Sequence, residues 1–408
     1  MNRRYDILII GNSAAGMQAL RTIRRHGGNL SVALVDRENC PAYSRVLTPY
    51  YVGGKTHREN LFIVGHDFYR RLGIATLLGH AAVGLDPDRH EVLLADGTPL
   101  EYGKLLLATG AEARGIEITA AGVSTLRHLE DADRLERLLK GARSVTAVGA
   151  GLVSIPFLSH AGSDVERHLV IGSDRVFSRV VDPEASAILE ERFLATGLVI
   201  HKRDDIAGLG GTERLELTLA RGGRFATDLL LVGKGVVPNT HLARQAGLAV
   251  REGIVIDDFC RTSHPDIYAA GDVAEGRDFV TGEATIQGNW MTAVEQGEIA
   301  ALNMLGLPCA YDGSLKNNTT EVFGVDVAVV GYCGDGAHRT LTAHDPFTGR
   351  FRKVFLDERD RVMGATMVGE TNDAGVFCHL VRTRAVFPGE RVLRGANTYA
   401  ARLLELTS

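Results

Sequence analysis

The stretch Tyr5-Asp6-Ile7-Leu8-Ile9-Ile10-Gly11-Asn12-Ser13-Ala14-Ala15-Gly16, continued through Ile23 and closed at Asp36, decides the fold. Tyr5 to Ile10 is an apolar run of strand length ended by small residues. Met17 to Ile23 carries apolar side chains at helical spacing, Gly27-Gly28 closes that helix, and Ser31 to Val35 supplies a second buried strand ending at Asp36. Small residues at 11, 13 and 16 let the backbone turn tightly, approach a pyrophosphate and pack helix on strand, while the helix N-terminus offers N–H groups to the anion. Asp36, about 20 residues past the glycines, is placed to accept from ribose hydroxyls. The middle glycine of G-x-G-x-x-G is Ser13, still small enough for the turn. These residues read as a dinucleotide site, with an ordinary α/β turn as the alternative.

The chain has 408 residues, enough for two or three domains with full cores, and 47 glycines against 11 prolines suit a turn-rich α/β architecture. A net charge of -5 and a pI near 6.3 supply no overall basic surface for nucleic acid or anionic lipid. No apolar run reaches membrane-spanning length, and the apolar part near the start is too short for a signal peptide and leads into the nucleotide turn. The expected location is cytoplasmic. Cys40, Cys260, Cys309, Cys333 and Cys378 are odd in number and widely spread, with no disulfide framework, C-x-x-C pair or zinc pattern, and the 14 histidines fall into no ligand-like cluster.

Beyond Asp36, Cys40 to Gly54 is a loop dense in Tyr, Pro and Gly, in which Arg45 could meet a phosphate or ring edge or lie in a solvated salt bridge. The spacing predicts a helix over 61–72, strands at 75–78 and 91–94, a hairpin turn at Asp96-Gly97, and a buried strand at 104–107 ending in Ala108-Thr109-Gly110. A charged amphipathic helix over 127–140 marks a first boundary. Ser144 to Val148 with Gly149-Ala150-Gly151 then opens a second strand, turn and helix, with Leu169-Val170-Ile171 as its second strand. Repetition of one unit implies two nucleotide-binding domains. Asp182-Pro183-Glu184 starts a helix with Asp as cap and Pro first, ended before Gly197. Ile267 to Ala270 is a strand ending in Gly271-Asp272, where Asp272 either bonds polyol hydroxyls or caps a helix. A helix over 290–305 presents Ala293, Ile299 and Leu302 on its apolar side, and from Tyr311 strands and two closing helices form a third, α+β unit.

Gly11 to Gly16 with Asp36, Ala108-Thr109-Gly110, Gly149-Ala150-Gly151, and Thr262 with Ile267 to Asp272, in this order, resemble the FAD-dependent pyridine nucleotide reductases over nearly the whole chain. Ala42-Tyr43-Ser44-Arg45-Val46 with Leu61 and Phe68-Tyr69 looks most like the FAD-containing front of nitrite reductase large subunits, with rubredoxin and ferredoxin reductases as wider relatives. The resemblance implies an α/β protein with two Rossmann-like domains and a non-covalent FAD held by residues 1–112 and 240–308. It also implies an inserted NAD(P)H domain over 113–239 and a C-terminal α+β interface domain over 309–408. By the same resemblance Gly11, Ser13, Ala14, Ala15 and Gly16 lie on the FAD pyrophosphate, Asp36 on the adenosine ribose and Asp272 on the ribityl chain. Arg37, Arg45, Ala82, Val83, Ala108, Thr109, Gly110 and Gly271 complete the lining, and Trp290 stands beside the isoalloxazine at a helix N-terminus suited to negative charge on the reduced ring. Gly149 and Gly151 hold the nicotinamide nucleotide.

Two departures qualify this. Relatives that reduce peroxide, oxygen or coenzyme A disulfide have a redox cysteine before their Leu-Pro-Tyr-Tyr-like segment, where this chain has Val46 and Cys40 lies off register. In the nicotinamide domain the third glycine is Ser154, the usual glutamate two residues on is Pro156, and the acid ending the second strand is Gly172. Arg175 and Arg179 could then receive a 2′-phosphate, favouring NADPH, or remain surface arginines. Pro156 inside the helix also admits a domain that has lost nicotinamide binding. The expected function is an FAD-dependent oxidoreductase passing electrons from NADH or NADPH through FAD to a protein acceptor of rubredoxin, ferredoxin or iron–sulfur type, without a redox cysteine. The alternatives are an FAD-carrying electron-transfer subunit of a larger complex fed by an iron–sulfur partner, and a thiol-dependent peroxide or disulfide reductase acting through Cys40. NADH against NADPH, the direction of electron flow, and homodimer against subunit of a complex stay open.

Overall fold

The computed structural model describes residues 3–115, 120–389 and 393; the second of the two closing helices expected from sequence lies outside these described residues. The chain divides into two compact units, one of Met1–Val46, Arg58–Glu112 and Val236–Leu315, the other of Leu47–His57, Ala113–Gly235 and Lys316–Ser408.

In the first unit the strand Arg3–Ile10 runs parallel between Val32–Asp36 and Pro99–Leu107. Ile74–Leu78 continues the parallel sheet past Val32–Asp36, and Ile267–Ala269 pairs with the last residues of Pro99–Leu107. Parallel strands covered on both faces read as unbroken apolar runs, and Ile7 to Ile10, Val32 to Val35 and Leu105 to Leu107 are all buried. The first residues of Pro99–Leu107 turn instead into an antiparallel meander with Glu91–Leu94 and Ala82–Asp86, with Gly97 at φ +84° in the hairpin turn that the sequence predicts.

Helix Ala14–His26 packs on helix Trp290–Met304. The buried face of the latter is Thr292, Ala293, Gln296, Gly297, Ala300, Ala301 and Met304, rather than the expected stripe through Ile299 and Leu302. Closeness is the reason: a Cβ on Gly297 would overlap the Ala15 carbonyl, so small residues set the contact face. The helix expected over 61–72 is broken into a 3-10 turn, Arg58–Leu61, and a four-residue helix, Phe68–Arg71. Its first residues are drawn into pairing with the preceding loop, because Ser44 N–H donates to Leu61 O and Ile63 N–H to Ala42 O, both at 2.8 Å.

In the second unit a parallel sheet runs in the order Val199–Lys202, Glu166–Ile171, Ser144–Val148, Leu229–Val232, Val123–Ser124. Helix Pro183–Ala195 begins as its sequence dictates, with Asp182 accepting from the N–H groups of Glu184 and Ala185 at 3.2 and 3.3 Å. Gly197 follows its end at φ +81°. An antiparallel sheet, in the order Asn317–Val322, Val325–Gly331, Val362–Val368, Arg350–Leu356, Arg339–Asp345, precedes helix Ala374–Arg382. Val327, Val329, Phe351 and Val368 from this sheet share one core with Phe177, Leu189 and Phe193 of the parallel layer. No helix among the described residues is long and apolar enough to cross a membrane.

Candidate functional site

The first glycine turn stands at the C-terminal end of the central strand of the first unit. Gly11 has φ +118°, and a Cβ there would overlap the Ala108 carbonyl. A Cβ on Gly16 would overlap the carbonyl of Gly11, so the following helix passes too close for any side chain. Ser13 caps that helix with extended backbone and makes no side-chain cap bond, which leaves the leading N–H groups for an anion. Asp36 closes the next strand. Its two carboxylate oxygens accept from Asn12 N–H at 2.6 Å and Glu38 N–H at 2.8 Å, and burial pushes its pKa above the usual carboxylate value against the pull of those donors. Each oxygen keeps a lone pair for a ribose hydroxyl.

Several supporting residues escaped the sequence reading. Asn12 is buried, donates to Cys40 O at 3.3 Å, and accepts from the Tyr69 hydroxyl at 2.8 Å, which itself accepts from Ala42 N–H at 2.9 Å. Tyr69 thereby ties the glycine turn to the loop beyond Asp36. Gln296, 2% exposed, accepts from Gly271 N–H at 2.8 Å. Its one signal in the sequence is a glutamine set among small residues on a helix. Asn239 clamps the turn after Leu107: it donates to Thr109 O at 2.8 Å and accepts at its own carbonyl from Thr109 Oγ1 at 3.0 Å, while Gly110 O accepts from its N–H at 2.9 Å.

Gly11 to Gly16, Asp36, Ala108 to Gly110, and Gly271 with Asp272 thus collect at the C-terminal ends of four parallel strands, where open α/β sheets bind ligands. Gly271 has φ +83°, with Ala15 and Ala293 3.4 and 3.5 Å from the place of a Cβ, and Asp272 is half-buried beside Gly288. Trp290 opens its helix behind the Asn289 cap and packs on the core of the unit. Ala82 packs on the same core, and Val83 is exposed. Arg37 pairs with Glu112. Arg45 is engaged with its own loop: it donates to Glu38 Oε1 and to the Tyr43 hydroxyl, both at 2.7 Å, and lies over the Tyr43 ring. Cys40 is half-buried, and burial together with Glu38 and Asp36 pushes its thiol up to about 11. Val46 is exposed.

The second turn repeats the first glycine and alters the third position. Gly149 has φ +95°, and a Cβ there would overlap Gly233 O. Ser154 is fully buried and donates to Val148 O at 3.3 Å, with its hydroxyl over the place where Gly233 lacks a Cβ. Pro156 falls in the first turn of the seven-residue helix Ser154–His160, where an N–H has no carbonyl of that helix to reach, so it leaves the turn intact and does not argue for a lost site. Open space surrounds the place of a Cβ at Gly151, Gly172 is exposed at the end of Glu166–Ile171, and Arg175 donates to Ser178 O at 3.1 Å.

Glycines whose Cβ would fill the cradle, a leading helix turn without a side-chain cap and a carboxylate at the next strand end fit a dinucleotide in the first unit. Over 382 residues the chain is 27% identical to the assimilatory nitrate reductase electron transfer subunit of Bacillus subtilis, covering 91% of this chain and 48% of that one. It therefore spans about half the length of that relative. It is 32% identical to subunit epsilon of the NADH-dependent phenylglyoxylate dehydrogenase of Aromatoleum evansii, over 92% of this chain and 91% of that one. The covalent putidaredoxin reductase–putidaredoxin complex contains a chain that superposes with a TM-score of 0.89 at 25% identity, covering 97% of both. Residues 5–297 match the family described as pyridine nucleotide-disulphide oxidoreductase, and with most of its length so matched the chain belongs to that family, whose cofactors are FAD and NAD(P)H.

Proposed function

We propose that this chain is an FAD-dependent oxidoreductase that takes electrons from NAD(P)H and delivers them to a separate protein acceptor of the rubredoxin, ferredoxin or iron–sulfur type, in the cytoplasm. The observation that carries this reading is the missing thiol: Val46 is an exposed aliphatic side chain, and the nearby Cys40 is held protonated by burial and two acids. Bound FAD supplies the chemistry, accepting two electrons as hydride and returning them singly. The chain binds and orients. Gly11, Ser13, Ala14, Ala15 and Gly16 would hold the pyrophosphate, Asp36 the adenosine ribose and Asp272 the ribityl hydroxyls. Arg37, Arg45, Ala82, Val83, Ala108, Thr109, Gly110 and Gly271 would complete the lining, with Trp290 beside the ring. Gly149, Gly151 and Arg175 would hold the nicotinamide nucleotide. Residues 1–112 and 240–308 would then form the FAD domain, 113–239 the NAD(P)H domain and 309–408 the interface domain.

Anaerobic addition of NADH or NADPH to the yellow protein should bleach the visible flavin band, and a one-electron protein acceptor should restore it. A second reading, an electron-transfer subunit with weak nicotinamide turnover, is favoured by the two relatives whose names describe subunits. No bleaching by either nucleotide in protein that dithionite still reduces, with co-purification of an iron–sulfur partner, would replace the first reading by the second.

A further inference from the structure

We infer that Cys260 and Cys309 form a modification site of the first unit, a thiol pair that hydrogen peroxide oxidises to a disulfide, locking a turn to the segment after helix Trp290–Met304. The turn is built on Asp257. Its N–H donates to Arg261 O at 2.9 Å, its backbone carbonyl accepts from Cys260 N–H at 3.0 Å, and its carboxylate accepts from the N–H groups of Phe259 and Arg261, both at 2.9 Å. Cys260 sits in this turn at φ +57°, and Ala269 N–H donates to its carbonyl at 3.1 Å, which fixes the turn to strand Ile267–Ala269. The segment after the helix is tied to the same turn twice. Tyr311 N–H donates to Asp258 O at 2.6 Å. The Asn303 side-chain amide donates to Phe259 O at 3.3 Å and to Cys309 O at 2.7 Å, and its carbonyl accepts from Cys309 N–H at 3.1 Å. With Asp258 facing Tyr311 and Phe259 sharing a donor with Cys309, the two stretches pass in opposite senses, and residue 260 comes beside residue 309. Cα atoms facing each other across such backbones stand about 4.5–5.5 Å apart, inside the span that a disulfide bridges.

The two thiols differ in access. Cys260 is fully buried in the core of the unit, and Cys309 is half-buried. Burial pushes the Cys260 thiol up, with Asp257, Asp258 and Cys309 adding to the push, so Cys260 keeps its proton and is not the first to react. Cys309 is the sulfur that peroxide reaches. It attacks one peroxide oxygen, the O–O bond breaks, Cys309 becomes a sulfenic acid and one water leaves. The Cys260 sulfur then displaces the hydroxyl: the S–S bond forms, the S–O bond breaks, and the hydroxyl leaves with the thiol proton as a second water. The thiol pair gives up two electrons, and the peroxide takes them. A dithiol reverses the change. The ring so closed, residues 260–309, contains Gly271, Asp272 and Trp290, and closing it restricts the unfolded chain rather than the folded one.

The test treats the FAD-loaded protein with hydrogen peroxide, blocks the remaining thiols with N-ethylmaleimide, and maps the unreduced peptides by mass. A peptide joining Cys260 to Cys309, lighter by two hydrogens than its parts, should appear and should vanish with dithiothreitol. The count of free thiols in the unfolded chain should fall by two from five. Cys260→Ala should leave Cys309 as a sulfenic acid that dimedone traps, and Cys309→Ser should leave Cys260 unoxidised. Oxidation should raise the urea midpoint of unfolding in the parent protein and in neither variant. Five thiols remaining, a joined peptide that pairs either residue with another cysteine, or Cys309 carried to the sulfinic acid with no joined peptide overturns the pair. A joined peptide with an unchanged urea midpoint overturns the lock. None of these readouts depends on turnover, so they stand apart from the oxidoreductase reading.

Discussion

The turns at Gly11–Gly16 and Gly149–Ser154 meet one steric problem and place its solution differently. In both, the first glycine sits at positive φ against the residue that follows the neighbouring parallel strand, Ala108 in one and Gly233 in the other. At the third position they part. Gly16 has no Cβ because the helix crosses the carbonyl of Gly11, while Ala108 keeps its own. Ser154 keeps a Cβ and a hydroxyl, while Gly233 has none. The small residue has moved from the helix to the neighbouring strand end. A glycine fingerprint is therefore a property of two packed segments, and counting glycines along one of them misjudges the second turn.

The sharpest way to break this comparison is Gly16→Val, which drives a branched side chain into the carbonyl of Gly11. The purified variant should lack the visible flavin band and melt at lower temperature; a fully yellow protein would show that the first turn has slack. Next comes Gly233→Ala, whose methyl meets the Ser154 hydroxyl and should cost about 1–3 kcal/mol of stability as overpacking. Adding Ser154→Gly should restore the melting temperature, and the absence of any rescue would mean that the two positions do not compensate each other. Tyr69→Phe removes the hydroxyl shared by Asn12 and Ala42, leaving buried partners unsatisfied at about 1–2 kcal/mol. FAD affinity of the apoprotein, followed by quenching of free FAD fluorescence, should weaken by about tenfold; unchanged affinity would detach Tyr69 from the first turn. The smallest effect belongs to Cys40→Ser, which should leave acceptor reduction unchanged. With the thiol of the parent protein pushed up to about 11, its thiolate grows as pH rises toward that value, so alkylation followed by mass should speed up about tenfold per pH unit between neutral and pH 10. Fast alkylation at neutral pH would revive thiol chemistry.

What the sequence made legible was local. Strand runs, the Asp182 cap with Pro183, the Asp96-Gly97 turn and the first glycine cradle each follow from residues near one another in the chain, and each forms where expected. What it hid depends on partners far away. The span 61–72 is apolar enough for a helix, yet its backbone is claimed by residues 42–44. The helix from Trp290 buries small residues because Ala15 lies against it, which its own periodicity cannot reveal. Asn239 and Gln296 act on turns formed by other segments: Asn239 holds Thr109 from 130 positions away, and Gln296 reaches back to Gly271. Pro156 misled for the opposite reason, since its effect depends on where the helix starts, and the start lies two residues before it.

The sheet of the first unit also imposes an order on synthesis. Leu105 to Leu107 wait for Ile267–Ala269 to pair with them, and the nearby ion pair of Lys104 and Asp266 joins residues 162 positions apart. At ribosomal rates that wait lasts on the order of ten to thirty seconds. Until it ends, a buried apolar strand keeps an open edge toward other nascent chains. Yield of this protein in a cell should therefore follow translation speed and chaperone supply more closely than it follows the stability of the finished fold.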